Sequence, residues 1–133
     1  MNTPEAGIPV LLLTYQDIYL WVAKQKDGLG ERYRKRAAVV RLSPTDLKSL
    51  GMQDGGHVEL GNRRGSVVVV AKSDNTCRQG WGHMSTSLYS NRLAGYDPSV
   101  SRLPNLKHIE VRVMSTGEEI TPISDLLVRK TVG

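Results

Sequence analysis

The sequence predicts a mainly-β fold, a small barrel whose short strands are joined by short crossover helices. Two observations carry that expectation. Residues 39–72 (VVRLSPTDLKSLGMQDGGHVELGNRRGSVVVVAK) change character at turn-forming residues from β-branched run to helix to strand to apolar strand. Residues 108–114 (HIEVRVM) alternate, with Ile109, Val111 and Val113 on one face, and supply a closing strand. Several short strands with one small crossover helix read as a β-barrel.

Within the central block each boundary has a chemical reason. Residues 39–42 are rich in β-branched side chains. Ser43 has a hydroxyl suited to accept from the free amides of a first helical turn. Pro44 falls at the first helical position, where its missing N–H costs nothing. Leu47 and Leu50 share a face, and Gly51 can take the positive φ that ends a helix. Asp54-Gly55-Gly56 is a turn into a strand at 57–60, where Val58 and Leu60 alternate with polar neighbours. Asn62-Arg63-Arg64-Gly65 reads as a four-residue turn with a left-handed glycine. The apolar run 66–71 needs cover on both faces.

Before this block, residues 1–9 read as a loose leader and 10–133 as a single domain, with a first strand at 10–14. Residues 15–23 (YQDIYLWVA) fit either period: Ile18, Leu20 and Val22 alternate, while Ile18, Trp21 and Val22 share a helical face. Helix or turn is the preferred reading. Residues 31–36 (ERYRKR) form a short basic helix leading into the strand that ends at Leu42. After it, residues 81–102 (WGHMSTSLYSNRLAGYDPSVSR) lack periodicity, and a long aperiodic stretch with aromatics suggests a binding loop. A short element and tail follow at 120–132.

With 133 residues and 39% hydrophobic residues the chain can bury one core. The apolar run at 8–13 is too short to span a membrane, so no membrane association is expected. One cysteine, Cys77, excludes an internal disulfide and fits a reducing cytoplasm. A formal net charge of +5 suits anionic partners.

No self-contained active site emerges. His57, His83 and His108 are the histidines; the first and last fall in strands, and His83, in the presumed loop, is the better functional candidate. Cys77 has no histidine beside it in sequence, and neither a GxxxxGK[ST] nor a GxGxxG motif is present. Lys24, Lys26, Arg32, Arg34, Lys35 and Arg36 accompany Tyr19, Trp21 and Tyr33. Single strands bind such clusters, but a solvated or partner-docked helix face explains this one as well, so a nucleic-acid partner is not expected. The loop offers Ser85, Thr86, Ser87, Ser90 and Asn91 as neutral hydrogen-bonding groups, Tyr89 as a stacking face, Asp97 as an acceptor for a guanine edge, and Lys107 as a phosphate counter-charge. These suit a nucleotide-like ligand.

The order of these residues carries a resemblance. Tyr33, VVRLSPTDLKSLG at 39–51, Gly55-Gly56 with Val58, RRGSVVVVA at 63–71, Asn91 and PNLK at 104–107 resemble the molybdopterin dinucleotide-binding domain. More narrowly, they are similar to the dinucleotide-binding subunit of archaeal molybdenum or tungsten formylmethanofuran dehydrogenases, over about residues 10–114. The resemblance implies a double-psi β-barrel with short crossover helices. It implies a molybdopterin guanine dinucleotide whose tungsten or molybdenum is held by a catalytic iron–sulfur subunit of the same complex, in a CO2-reducing or formylmethanofuran-oxidising reaction with no turnover by this chain alone. Carried onto this sequence, the cofactor-binding positions are Thr14, Met84, Thr86, Ser87, Tyr89, Asn91, Asp97, Ser101, Pro104 and Lys107. The family's arginine after the first strand is absent, and Arg102 stands where it has glycine. The central block also resembles the amino-terminal recognition domains of valosin-containing-type ATPases, which gives a stand-alone protein-recognition module as the alternative.

Overall fold

A computed structural model describes residues 7–94 and 108–127. Six strands close on themselves: β1 (Ile8–Tyr15), β2 (Val39–Leu42), β3 (His57–Asn62), β4 (Gly65–Ser73), β5 (Trp81–Ser85) and β6 (Ile109–Ser115), in the spatial order β1-β5-β2-β4-β3-β6. β1 runs parallel to β5 and β2 parallel to β4, and the remaining neighbours are antiparallel. Two interleaved parallel pairs in a closed six-stranded sheet make the double-psi barrel expected from the resemblance. Closure leaves no unpaired sheet edge.

Alternation fills the inside. Val10 and Leu12 of β1, Val40 and Leu42 of β2, Val58 and Leu60 of β3, Val67, Val69 and Ala71 of β4, Met84 of β5, and Ile109, Val111 and Val113 of β6 are all buried. β4 is covered on both faces as its apolar run requires, since Val68 is buried too and its N–H donates to Thr121 Oγ1 at 2.7 Å.

The central unit folds as its sequence dictates. α3 (Pro44–Ser49) starts at Ser43, whose Oγ accepts from Asp46 N at 3.0 Å, and Gly51 takes φ +68° just past its end. Asp46 does more than its sequence position suggests. Its buried carboxylate accepts from Gly80 N at 2.7 Å, tying α3 to the turn that launches β5.

The 62–65 turn corrects one expectation. Gly65 does not have positive φ, and neither does any non-glycine residue in the described chain. Asn62 Oδ1 instead accepts from Arg64 N at 2.9 Å to form the turn. Glycine at 65 leaves room for a neighbour: a Cβ there would lie 2.8 Å from Arg92 Cδ, so a side chain at 65 would displace the Arg92 side chain.

Residues 18–27 settle the period that the sequence left open. α1 (Ile18–Asp27) is helical, capped by Asp17, whose Oδ1 accepts from Tyr19 N at 3.0 Å. It forms a hairpin with α2 (Glu31–Ala37). The inward residues are Leu20 and Ala23, and the Ile18, Trp21 and Val22 face is exposed.

The aperiodic stretch departs furthest from expectation. Residues 81–94 are β5 followed by α4 (Leu88–Ala94), not a loop. Gly82 interrupts the alternation because it occupies an inward position with no room for a side chain: a Cβ would meet Leu12 Cδ2 at 3.0 Å and Leu42 Cδ2 at 3.1 Å. α4 has a reciprocal cap of two serines. Ser87 Oγ accepts from Tyr89 N at 3.2 Å, and Ser87 N donates to Ser90 Oγ at 2.9 Å. Past β6, α5 (Ile123–Leu127) packs beside α4.

Candidate functional site

The strand pairing brings the two sequence-predicted regions together. Thr14, at the end of β1, is the register partner of Met84, and Tyr15 is the partner of Ser85. The contact continues past both strands, where Thr86 N donates to Tyr15 O at 2.8 Å. Residues 14–15 and 84–86, distant in sequence, therefore form one rim of the barrel.

Burial divides the candidates. Thr14 and Thr86 are half-buried at the rim, and Asn91 is exposed on α4. Met84 is fully buried, so its side chain fills the barrel and presents no surface to a ligand. Tyr89 is also fully buried, and its hydroxyl donates to Thr121 O at 2.7 Å. The stacking role expected for Tyr89 is therefore replaced by a structural one. Burial pushes its phenol up to about 12. Ser87 and Ser90, expected to meet a ligand, use their hydroxyls on each other and on α4's first amides. Asp97, Ser101, Pro104 and Lys107 lie outside the described residues. His83 is half-buried in β5, opposite Arg41 of β2.

Beside this rim lies a groove of about 660 Å³. Its walls are Tyr15 and Asp17 from the end of β1, Arg32, Lys35 and Arg36 from α2, Val39 and Arg41 from β2, and Lys72, Ser73 and Asp74 from the end of β4. Five cations against two carboxylates make it positive. Both carboxylates are engaged. Arg36 Nε donates to Asp17 Oδ2 at 2.7 Å, and its guanidinium sits 4.9 Å from the Tyr19 ring centroid. Arg41 Nη1 is 3.6 Å from Asp74 Oδ2, and hydrogen bonds from Thr76 hold the Asp74 carboxyl below its ordinary range. A groove of this size and sign accommodates a phosphate-bearing group.

Sequence reasoning grouped Arg32, Lys35 and Arg36 but missed Arg41 and Lys72. These two are register partners on parallel β2 and β4. Both fall on the outward phase of their strands, so alternation gave the signal; only the parallel pairing, invisible in sequence, placed them side by side. Tyr33, grouped with the basic cluster, is buried and its hydroxyl accepts from Leu88 N at 3.1 Å, joining α2 to α4.

Cys77 is buried, with its thiol pushed up chiefly by burial, the setting of an unreactive structural cysteine. Among the described residues no three His, Cys, Asp or Glu side chains come together as a metal-holding group. No helix among them is long and apolar enough to cross a membrane.

A closed barrel with a basic groove beside a rim of paired strand ends is suited to holding an anionic ligand. The comparison with known families makes the class specific. Residues 10–109 match the molydopterin dinucleotide binding domain, and the chain belongs to that family of molybdopterin cofactor-binding domains. No curated protein matches the chain.

Proposed function

We propose that this protein covers the guanine dinucleotide arms of a tungsten- or molybdenum-bearing molybdopterin cofactor, as the non-catalytic subunit of a formylmethanofuran dehydrogenase. The observation that carries the cofactor reading is the meeting of the ends of β1 and β5, where Thr14 is the partner of Met84 and Thr86 N donates to Tyr15 O, beside a groove lined by five cations. Family membership supports a molybdopterin-type ligand. The narrower identity rests on the 39–72 block joined to Asn91 and to the Pro104-to-Lys107 segment.

The groove fits the charged part of such a group. Lys35 and Lys72, both exposed on its walls, would neutralise a diphosphate as point charges, and Arg41 would add a planar donor set. Thr14 and Thr86, at the adjoining strand ends, would supply neutral hydrogen bonds, and Asn91 would add one from the exposed side of α4. The bound cofactor supplies two-electron redox chemistry at its metal, which a catalytic iron–sulfur subunit would hold. This chain's part is to bind, orient and shield the dinucleotide from water.

Purification of the protein from its native host, with metal and pterin analysis, tests the reading. Tungsten or molybdenum with guanine dinucleotide, in a complex with a larger iron–sulfur subunit, is the expected result. A chain that elutes alone and metal-free contradicts it, and turns attention to a recognition module of the ATPase amino-terminal type.

A further inference from the structure

Five of the six large apolar side chains exposed among the described residues fall between Tyr15 and Val22. Ile18 is 68% exposed, Tyr19 67%, Trp21 60%, Tyr15 40% and Val22 36%. At 100° per residue, Ile18, Trp21 and Val22 form one stripe of α1, opposite the buried Leu20 and Ala23. The exposed Lys24 and Lys26 flank the stripe, one on each side. Tyr15 continues the apolar surface to the groove, where Arg32, Lys35 and Arg36 extend the basic border.

The hairpin does not need this stripe for its own stability. Asp17 caps α1, and the same carboxylate holds Arg36 of α2, so the helix is fixed with its aromatic side outward. Isolated exposed apolar residues are ordinary, but a contiguous aromatic and aliphatic stripe inside a charged border marks an interaction surface.

We infer that the outer face of α1 docks a partner protein that presents an apolar strip bordered by carboxylates. Charge complementarity selects that occupant. A second copy related by a two-fold axis would set Lys24 and Lys26 against their own equivalents, which is repulsive. Tyr15 joins the apolar surface to a charged groove lined by residues of α2, β2 and β4, a recess that a protein partner can fill and a flat bilayer cannot. The inference stands apart from the cofactor reading, because it requires no bound molybdopterin.

The test replaces Trp21 by benzoylphenylalanine in the full chain, in the native host, and identifies the photo-crosslinked peptide by mass spectrometry. An adduct on another protein, at apolar residues with Asp or Glu within a few positions, is the expected result, whether or not molybdopterin is present in the complex. Adducts confined to this chain, to a second copy or to lipid overturn the inference, as does the absence of any adduct. In parallel, Trp21→Asp should weaken association with the crosslinked protein about thirtyfold, as for an aromatic anchor at an interface. Its thermal unfolding should match the wild type, which separates lost docking from lost folding. Unchanged association with that protein overturns the inference too.

Discussion

The barrel and the α1–α2 hairpin place apolar residues by opposite rules. In β2–β4 the β-branched and leucine side chains are buried within this chain: Val40, Leu42, Val58, Leu60, Val67 and Val69 have almost no exposed surface. In α1 the buried positions are Leu20 and Ala23, while Ile18, Tyr19 and Trp21 remain outside. Hydrophobic burial within the chain therefore accounts for the barrel's sequence and leaves α1's aromatic side unexplained. Apolar residues that stabilise the fold are thus separated from apolar residues that stay exposed, and substitutions in the two regions should diverge accordingly.

The largest effect is expected inside the barrel. Gly82→Val forces a side chain against Leu12, Leu42 and Val10, and should destabilise by about 3 kcal/mol in denaturant unfolding. A neutral result would mean that the contacts between parallel β1 and β5 are looser than they stand. Next is Asp46→Ala, which leaves Gly80 N without its buried acceptor. The expected loss is about 2 kcal/mol, read from the shift in urea midpoint at constant m.

Alkaline pH probes the same core through Tyr89. Its folded phenol is raised to about 12, above the ordinary value of about 10. Between those values the folded state holds a proton that the unfolded state has released. Stability is therefore full below about pH 10 and falls as pH rises towards 12, by on the order of 2 kcal/mol. Tyr89→Phe should flatten that slope, while Tyr33, raised in the same direction by burial, keeps the remainder. A slope unaltered by Tyr89→Phe would assign the alkaline loss to other groups.

Smaller still is the α4 cap. Ser87→Ala removes the acceptor for Tyr89 N and should cost about 1 kcal/mol. At the bottom of the scale, Ile18→Asp on the open face of α1 should change stability by no more than about 0.5 kcal/mol, as measured by thermal unfolding. A large loss there would show that the stripe is covered within this chain, and would erase the contrast between the two regions.

How much was legible in the sequence follows the same division. Residues 39–72 could be read almost completely, because Ser43, Pro44, Gly51 and Gly55 each act on their immediate neighbours. β5 could not be read, since its decisive inward residue is a glycine whose reason lies in Leu12 and Leu42, far away in sequence. α4 had a signal that was passed over: serines at 87 and 90, three apart, before Leu93. The basic groove needed the parallel β2–β4 register to join Arg41 and Lys72 to the cations of α2. Tyr89 shows the limit of composition, since an aromatic residue in a polar, serine-rich stretch proved to be a core residue anchored to Thr121.

The most direct measurement is the guanine nucleotide released by acid hydrolysis from the native complex, compared with a complex carrying Lys35→Glu and Lys72→Glu. Both lysines are exposed on the groove wall, so the fold should survive the change. A dinucleotide cradle predicts guanine nucleotide in the wild-type complex and at least about tenfold less retained by the charge-reversed one, with thermal unfolding of the chain unchanged. Equal release from both complexes would contradict the groove as the seat of the dinucleotide.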